Sequence, residues 1–318
     1  VRAPTHARDP KRVALERAND GAGVAARYLS GFACFHDRDG ARALRLLGDD
    51  SRRVRGLGVV VAPLACDDDQ AVEALRVAWS LRGERGLLRR MARYGRHAPI
   101  DRFLEGLASN GDLIDLVDHL PFGREPTVRR FLGLALERPS SRFWEGLAHA
   151  HPSILCEVLC QRWRAVPGEA DPVTRQLTAR HHARLAERVP DAALVLAALL
   201  LERGIEPDAS TFTELLRARA SATVELAILH AARIPHGVLE SRARHLEPVL
   251  LARVVANAPH LLGDFGPTVR TMNVERQRAL AEAWCETSAR FPVHGAFLLR
   301  HLAADARRDA AYERFSLA

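Results

Sequence analysis

The sequence predicts an all-α protein, and more specifically an α-solenoid of stacked antiparallel helical hairpins. The first reason is composition, because the 318 residues are rich in Ala, Leu and Arg, which favour helix, and poor in Tyr, Ile and Thr, which favour strands. The second reason is that proline-containing turns divide the chain into segments of roughly 10–18 residues, as arrays of helical hairpins require. The third is that apolar residues recur at helical spacing within these segments.

Pairs of an acidic residue and a proline mark where several helices are expected to begin. In Asp9-Pro10 and Asp171-Pro172 the aspartate can cap a helix whose first position is the proline, and Glu125-Pro126 is a weaker version. Other helices are expected to stop just before a proline, because proline cannot continue a helix. Such stops are predicted before Pro235, Pro259 and Pro292.

Apolar spacing supports helix within the segments. Val72, Leu75 and Trp79 fall at positions i, i+3 and i+7 of one helix face. The run Val59–Val61 has strand-forming residues, but no neighbouring segment offers a partner strand. We therefore interpret this run as part of a buried helix that ends or kinks near Pro63.

One stretch of the chain resembles a HEAT repeat. Residues 46–55 read LLGDDSRRVR, an apolar run follows, and residues 67–75 read DDDQAVEAL. The HEAT pattern has a capped turn, a Val-Arg pair entering the second helix, and an acidic turn that opens the next unit. Fainter copies of the Val-Arg entry occur at residues 126–129, 172–175 and 267–270. The resemblance implies a HEAT-like or armadillo-like array of divergent repeats over residues 41–318, after an N-terminal tail and one or two leading helices in residues 1–40.

A dense run of arginines is the most informative feature for function. The segment Arg82–Arg102 holds seven arginines and two acids, so it carries +5 of the net charge of +7. Five of these arginines step by three or four residues, which places them on one helix face, although Gly83 and Gly86 allow Arg82 to lie in the preceding turn. The candidate binding residues for an anionic partner, here called the basic stripe, are Arg82, Arg85, Arg89, Arg90, Arg93 and Arg96.

The basic stripe has two interpretations. It is either the solvated face of a helix in an arginine-rich chain, or a face that binds phosphate or carboxylate groups of a partner. The sequence contains one such run and no repeated series, which favours a protein partner over nucleic acid. Residues 202–216 are similar to the junction of two pentatricopeptide repeats, which read single-stranded RNA. Because no second copy follows, we interpret this as a chance similarity between helical hairpins.

Two acidic clusters have the residue types of a cation site. Asp112, Asp115 and Asp118 are spaced i, i+3 and i+6. We expect Asp112, which follows Gly111, to cap a helix and the other two to face water. Residues 67–69 are all aspartate and are expected to form a turn between helices with a cap.

Four residues of metal-binding type, two cysteines and two histidines, also occur close together. Cys156 and Cys160 are four residues apart on a predicted helix, and His149 and His151 lie just upstream. The cysteines lie beside the apolar helix face, however, and the segment has no C-x-x-C pair. We therefore expect buried cysteines and turn histidines, with no metal and no cofactor.

The chain contains no motif that predicts catalysis. There is no nucleophile elbow, no phosphate-binding Walker loop and no H-E-x-x-H sequence, so no catalytic residue is assigned. The predicted function is a non-catalytic scaffold for protein–protein interaction. The alternative is nucleic-acid binding through the basic stripe, of which a HEAT-like DNA glycosylase is the least favoured form, because no acidic catalytic residue can be assigned.

The cysteines and the apolar runs indicate the cellular compartment of the chain. Five scattered cysteines do not form a disulfide framework, so we expect a reducing, cytoplasmic setting. The longest wholly apolar run, Ala192–Leu201, is about half the length of a membrane span, so no membrane insertion is expected.

Overall fold

The computed structural model describes residues 23–165, 171–230, 237–258, 261 and 265–287. These residues form eighteen α-helices and one short 3-10 turn, and they contain no strand. The all-α prediction is therefore confirmed. The chain divides into two compact units, unit 1 (Val1–His151) and unit 2 (Pro152–Ala318). None of the helices in the described ranges has both the length and the apolar character that crossing a membrane requires.

The described residues of unit 1 form nine helices, and a 3-10 turn at Leu120–Phe122 precedes the eighth. The predicted boundary at residue 40 stays a prediction, because residues 1–22 lie outside the described part. The helices are α1 (Val24–Asp37), α2 (Gly40–Leu47), α3 (Arg52–Ala65), α4 (Asp68–Ser80), α5 (Glu84–Arg93), α6 (His97–Ser109), α7 (Leu113–His119), α8 (Glu125–Glu137) and α9 (Ser141–Ala150).

The described residues of unit 2 form nine more helices. Two large side chains buried among them are Trp163 and Trp284. The Trp163 indole nitrogen donates a hydrogen bond to Thr178 Oγ1 at 3.0 Å, which satisfies its one polar group. The helices are α10 (Pro152–Ala165), α11 (Pro172–Arg188), α12 (Pro190–Glu202), α13 (Ala209–Ala218), α14 (Ala220–Leu229), α15 (Val238–Ala243), α16 (Pro248–Asn257), α17 (Phe265–Arg270) and α18 (Val274–Thr287).

Most helices in each unit pack on their neighbours in the chain. In unit 1, α1 packs on α2 and α3, α2 on α3 and α4, and α3 on α5. In unit 2, α10 packs on α11 and α12, α11 on α12 and α13, and α16 on α18. The extensive contacts in the described residues therefore join a helix to the next one or to the one after it.

Capping side chains explain where several of these helices begin. Asp67 accepts a hydrogen bond from the Gln70 backbone nitrogen, and the Gln70 side chain accepts one from the Asp67 backbone nitrogen, so the predicted cap is confirmed. Asp68 and Asp69 were expected in the turn but are the first residues of α4. Asp171 caps α11 with Pro172 in its first position, also as predicted. At Glu125-Pro126 the prediction was wrong by one residue, because Glu125 is already the first helical residue. The predicted start at residue 9 and the prolines of the three predicted stops lie outside the described residues.

Helix α3 lies very close to the end of α2. A Cβ atom placed on Gly58 would lie 2.8 Å from the backbone nitrogen of Leu47, so only glycine allows this approach. The run Val59–Val61 is helical, as predicted, and α3 continues past Pro63 to Ala65. The guanidinium group of Arg96 donates hydrogen bonds to the carbonyl oxygens of Pro63 and Cys66 and so closes the end of α3.

Candidate binding cleft

An open cleft of about 1190 Å³ lies in unit 1. Its lining comes from α5, the start of α6, the end of α7, the 3-10 turn, the start of α8, and α9. Three carboxylates line it, those of Asp118, Glu125 and Glu145. We call it the arginine cleft, because five arginines line it as well: Arg85, Arg89, Arg93, Arg124 and Arg142.

Helix α5 supplies three of these arginines because its sequence is amphipathic. Its buried positions follow the spacing i, i+3, i+4 and i+7, which directs one face into the core of unit 1. Arg85, Arg89 and Arg93 lie on the remaining surface at intervals of one helical turn. The buried residues of α5 are Glu84, Leu87, Leu88 and Met91.

Asp118 neutralises two of the cleft arginines. Its Oδ2 atom lies 2.5 Å from Arg85 Nη2 and 3.3 Å from Arg142 Nη1, and Ser140 Oγ donates to its Oδ1 atom at 2.6 Å. Partial burial acts to raise the pKa of Asp118, but the Ser140 hydrogen bond and the two guanidinium groups lower this pKa below its usual value. Arg85 and Arg142 are therefore paired within the chain.

Arg124 is the third arginine of the cleft that has an ion-pair partner, whereas Arg89 and Arg93 have none among the described residues. Arg124 Nε lies 2.5 Å from Asp101 Oδ2, and Asp101 also accepts from the Arg124 backbone nitrogen at 2.9 Å. Arg89 and Arg93 are exposed and form no ion pair with any described residue. Because they are four residues apart on one helix, their charges repel each other. The cleft therefore offers two adjacent guanidinium groups to an external anion.

Histidines line the part of the cleft next to α6 and α9. His97, His149 and His151 all contribute to its lining. His151 Nε2 donates a hydrogen bond to the Gly123 carbonyl oxygen at 3.0 Å, and burial lowers the pKa of His151 despite that bond. His97 Nδ1 is buried without a hydrogen-bond partner among the described residues.

A buried polar pair lies one residue from the Arg85–Asp118 bridge on each helix. His119 Nε2 donates to Glu84 Oε1 at 3.0 Å, and both side chains are less than a tenth exposed. The His119 ring also stacks on Phe103 at a centroid distance of 6.4 Å. Burial lowers the pKa of His119, outweighing the carboxylate of Glu84, which acts to raise it. The neutral imidazole thus fixes α5 to α7 beneath the cleft.

We expect the buried histidines to make the chain less stable in acid. His119 and His151 have lowered pKa values in the fold, so below pH 6.5 the unfolded chain binds protons that the folded chain does not. The free energy of unfolding should fall as the pH falls from 7.5 to 5.5. Urea midpoints at the two values measure this. His151→Gln keeps a donor for Gly123 without titrating, so its midpoint should fall less; equal falls in both proteins would contradict the assignment.

The basic stripe does not lie on one helix face, so this part of the prediction was wrong. Arg82 has a left-handed backbone conformation (φ 56°) in the turn after α4, where it pairs with Asp115 at 3.4 Å. Arg96 precedes α6, and besides closing α3 it pairs with Asp68 at 2.6 Å. Arg90 lies on α5 but outside the cleft lining. Arg85, Arg89 and Arg93 remain in the cleft, and of these three only Arg89 and Arg93 are largely exposed.

The predicted roles of the three spaced aspartates also need correction. Asp112 stands at the N-cap position of α7, but its side chain forms no capping hydrogen bond. Asp115 and Asp118 were expected to face water, and both instead accept hydrogen bonds from other helices. Asp115 accepts from the Trp79 indole nitrogen at 2.9 Å and from Arg82. The two aspartates therefore fix the region around α4 and α5 to α7.

The zinc alternative has its two histidines, His149 and His151, in unit 1 and its two cysteines in unit 2. Cys156 and Cys160 are buried on α10 in unit 2, as expected. The hydrogen bond between the two thiols and burial raise the pKa of Cys156. The described residues contain no group of three or more His, Cys, Asp or Glu side chains suited to a metal ion. The absence of zinc stays a prediction.

Much of the cleft was not predicted from the sequence. Arg124, Arg142 and the three histidines lie in segments after α5 and were not connected to the basic stripe. The available signal was weak: Ser140 caps α9 and places Arg142 in its first turn, but nothing local indicates that Arg142 meets Asp118. Comparison with known proteins adds no family, since no family model, curated protein or solved structure matches the chain.

Proposed function

We propose that the chain is a helical-repeat interaction protein, an α-solenoid of divergent HEAT-like hairpins, that binds another protein at the arginine cleft. Packing of each helix on its first and second neighbours is the pattern that stacked hairpins produce. The HEAT-like stretch supports the repeat assignment, because Arg55 donates to the carbonyl oxygens of Asp49 and Asp50 at 2.7 and 2.8 Å. This is the role expected of the arginine that enters the second helix.

The unpaired state of Arg89 and Arg93 carries the proposal. The other three cleft arginines are matched by Asp118 and Asp101, but these two have no described partner. Their mutual repulsion costs α5 a few tenths of a kcal/mol unless an anion offsets it. Guanidinium groups bind carboxylates and phosphates through paired hydrogen bonds, so the cleft is suited to an acidic ligand.

The charge pattern of the cleft favours a protein partner over nucleic acid. Carboxylates of Asp118, Glu125 and Glu145 lie among the arginines, so the positive charge without a described ion-pair partner is confined to Arg89 and Arg93 and does not form the extended track that the continuous phosphates of a nucleic-acid strand would follow. Apolar residues such as Pro121 and Phe122 also line the cleft. Mixed charge around apolar surface is typical of protein interfaces. Nucleic-acid binding is therefore the second candidate, supported by the arginines alone.

Charge reversal at Arg89 and Arg93 tests the proposal. We expect poly-L-glutamate to bind the wild-type chain with an affinity that falls as salt rises, and the double variant Arg89→Glu, Arg93→Glu to bind it about tenfold or more weakly, a change of about 1.4 kcal/mol. Much of the loss should appear as slower association. Fluorescence anisotropy and stopped-flow mixing measure these quantities.

A matched control variant makes the same change in net charge at two arginines outside the cleft. Arg52 and Arg53 are exposed in the first turn of α3 and do not line the cleft. The variant Arg52→Glu, Arg53→Glu should therefore bind poly-L-glutamate within about twofold of wild type at moderate salt, where distant charges are screened. Equal loss in both variants would refute a specific cleft. Tighter binding of a duplex DNA, with a steep salt dependence lost only in the Arg89, Arg93 variant, would favour the nucleic-acid alternative.

A further inference from the structure

Small and apolar residues line the arginine cleft beside its charges. Ala92 of α5 and Ala150 of α9 contribute to the lining, together with Pro121 and Phe122 of the 3-10 turn. Gly146 of α9 lies directly against Pro121, since a Cβ atom at Gly146 would lie 2.6 Å from the Pro121 ring. The short side chains on both helices leave apolar surface accessible near Arg89 and Arg93, and we call this surface the apolar floor.

The open shape of the cleft favours an extended ligand over an enclosed small molecule. Small-molecule pockets typically have volumes of roughly 300–1,000 Å³ and enclose most of their ligand. The arginine cleft measures about 1190 Å³ and is open. An open groove with an apolar floor is instead suited to a segment of polypeptide, whose side chains can contact the floor and the charged walls together.

We infer that the ligand of the arginine cleft is an acidic peptide segment with an apolar anchor. Its carboxylates pair with Arg89 and Arg93, and an aliphatic or aromatic side chain packs on the apolar floor against Ala92 and Phe122, which are both partly exposed. This inference rests on the proposed function and names the chemistry of the partner. A buried anchor beside charge-assisted hydrogen bonds is the combination that dominates affinity in protein interfaces.

Two synthetic peptides distinguish the contribution of the apolar anchor to binding from that of the carboxylates. The first has acidic flanks of four glutamates on each side of a central Leu-Phe pair, and the second has Ser-Ser in place of Leu-Phe. We expect the wild-type chain to bind the Leu-Phe peptide about tenfold to a hundredfold more tightly, the effect of burying one such side chain. Isothermal titration should also give a more negative heat-capacity change for the Leu-Phe peptide.

A substitution on the floor provides the second measurement. Ala92→Leu keeps a high helix propensity and fills part of the floor, so it should remove the preference for the Leu-Phe peptide while the Ser-Ser peptide still binds. Ala41→Leu, at an exposed position of α2 outside the cleft, should leave both affinities unchanged.

The outcomes distinguish the inference from the function on which it rests. If both peptides bind wild type equally and only Arg89→Glu, Arg93→Glu weakens them, the anchor is refuted and the acidic cleft stands. If neither peptide binds wild type, the proposed function fails with it. A preference for Leu-Phe that persists in Ala92→Leu places the anchor elsewhere and overturns the inference.

Discussion

Replacing His119 with Leu should lower the free energy of unfolding by about 3 kcal/mol or more, because it breaks a buried hydrogen-bonded pair. The Glu84 Oε1 atom would then lose its hydrogen-bond donor while it stays buried. The Oε2 atom already lacks a partner among the described residues, so the whole carboxylate would be left without a hydrogen bond. The loss should appear in urea or thermal unfolding monitored by circular dichroism.

The double variant Glu84→Leu, His119→Leu provides the control for this prediction. It removes both buried polar groups together, so its stability should lie closer to wild type than that of His119→Leu. A double variant whose loss equals the sum of the two single losses would show that the pair does not interact. A loss below about 1 kcal/mol in His119→Leu would show that water reaches Glu84 in its place.

Two glycines on α3 should respond in opposite directions when each is replaced by alanine. Gly58→Ala should destabilise the chain by about 1–3 kcal/mol, because the new methyl group would meet the backbone of Leu47, which cannot move aside like a side chain. Gly56→Ala lies on the same helix with nothing within 4 Å of the new atom. It should stabilise the chain by up to about 1 kcal/mol through helix propensity.

Gly56→Ala serves as the control for Gly58→Ala, since both variants add one methyl group to the same helix. Melting temperatures should fall for Gly58→Ala and rise slightly for Gly56→Ala. Equal shifts of the same sign would mean that α2 and α3 do not approach at Gly58 as the structure shows.

The fold class followed from local signals, and these were reliable. Composition and helical spacing predicted helix, and the caps at Asp67 and Asp171 were read correctly because a cap involves residues only three positions apart. The first and last residues of α5 were harder to predict. Arg82 and Gly95 both have positive φ and lie on either side of α5, which separates Arg82 and Arg96 from the helix that the spacing assigned to them. Gly95 was a usable signal, because glycine often follows the last turn of a helix.

The cleft itself was only partly predictable. Arg89 and Arg93 could be singled out because their spacing belongs to a single helix. The pairing of Asp118 with Arg85 and Arg142 could not be predicted, since it joins residues of three helices separated by 24 or more positions. Which arginines remain unpaired depends on that tertiary arrangement, so the sequence predicted a basic segment but not its available charges.

The preference of each helix for its nearest neighbours in the chain also bears on how the protein folds. Contacts between segments close in sequence close short loops, so little chain entropy is lost before packing begins. Each unit should therefore fold faster than a sheet protein of similar length, starting from whichever helical hairpin forms first. Because contacts are local, a destabilising substitution should affect mainly the helices around it. In Gly58→Ala, amide hydrogens of α2 and α3 should exchange faster, while those several helices away keep their protection from exchange.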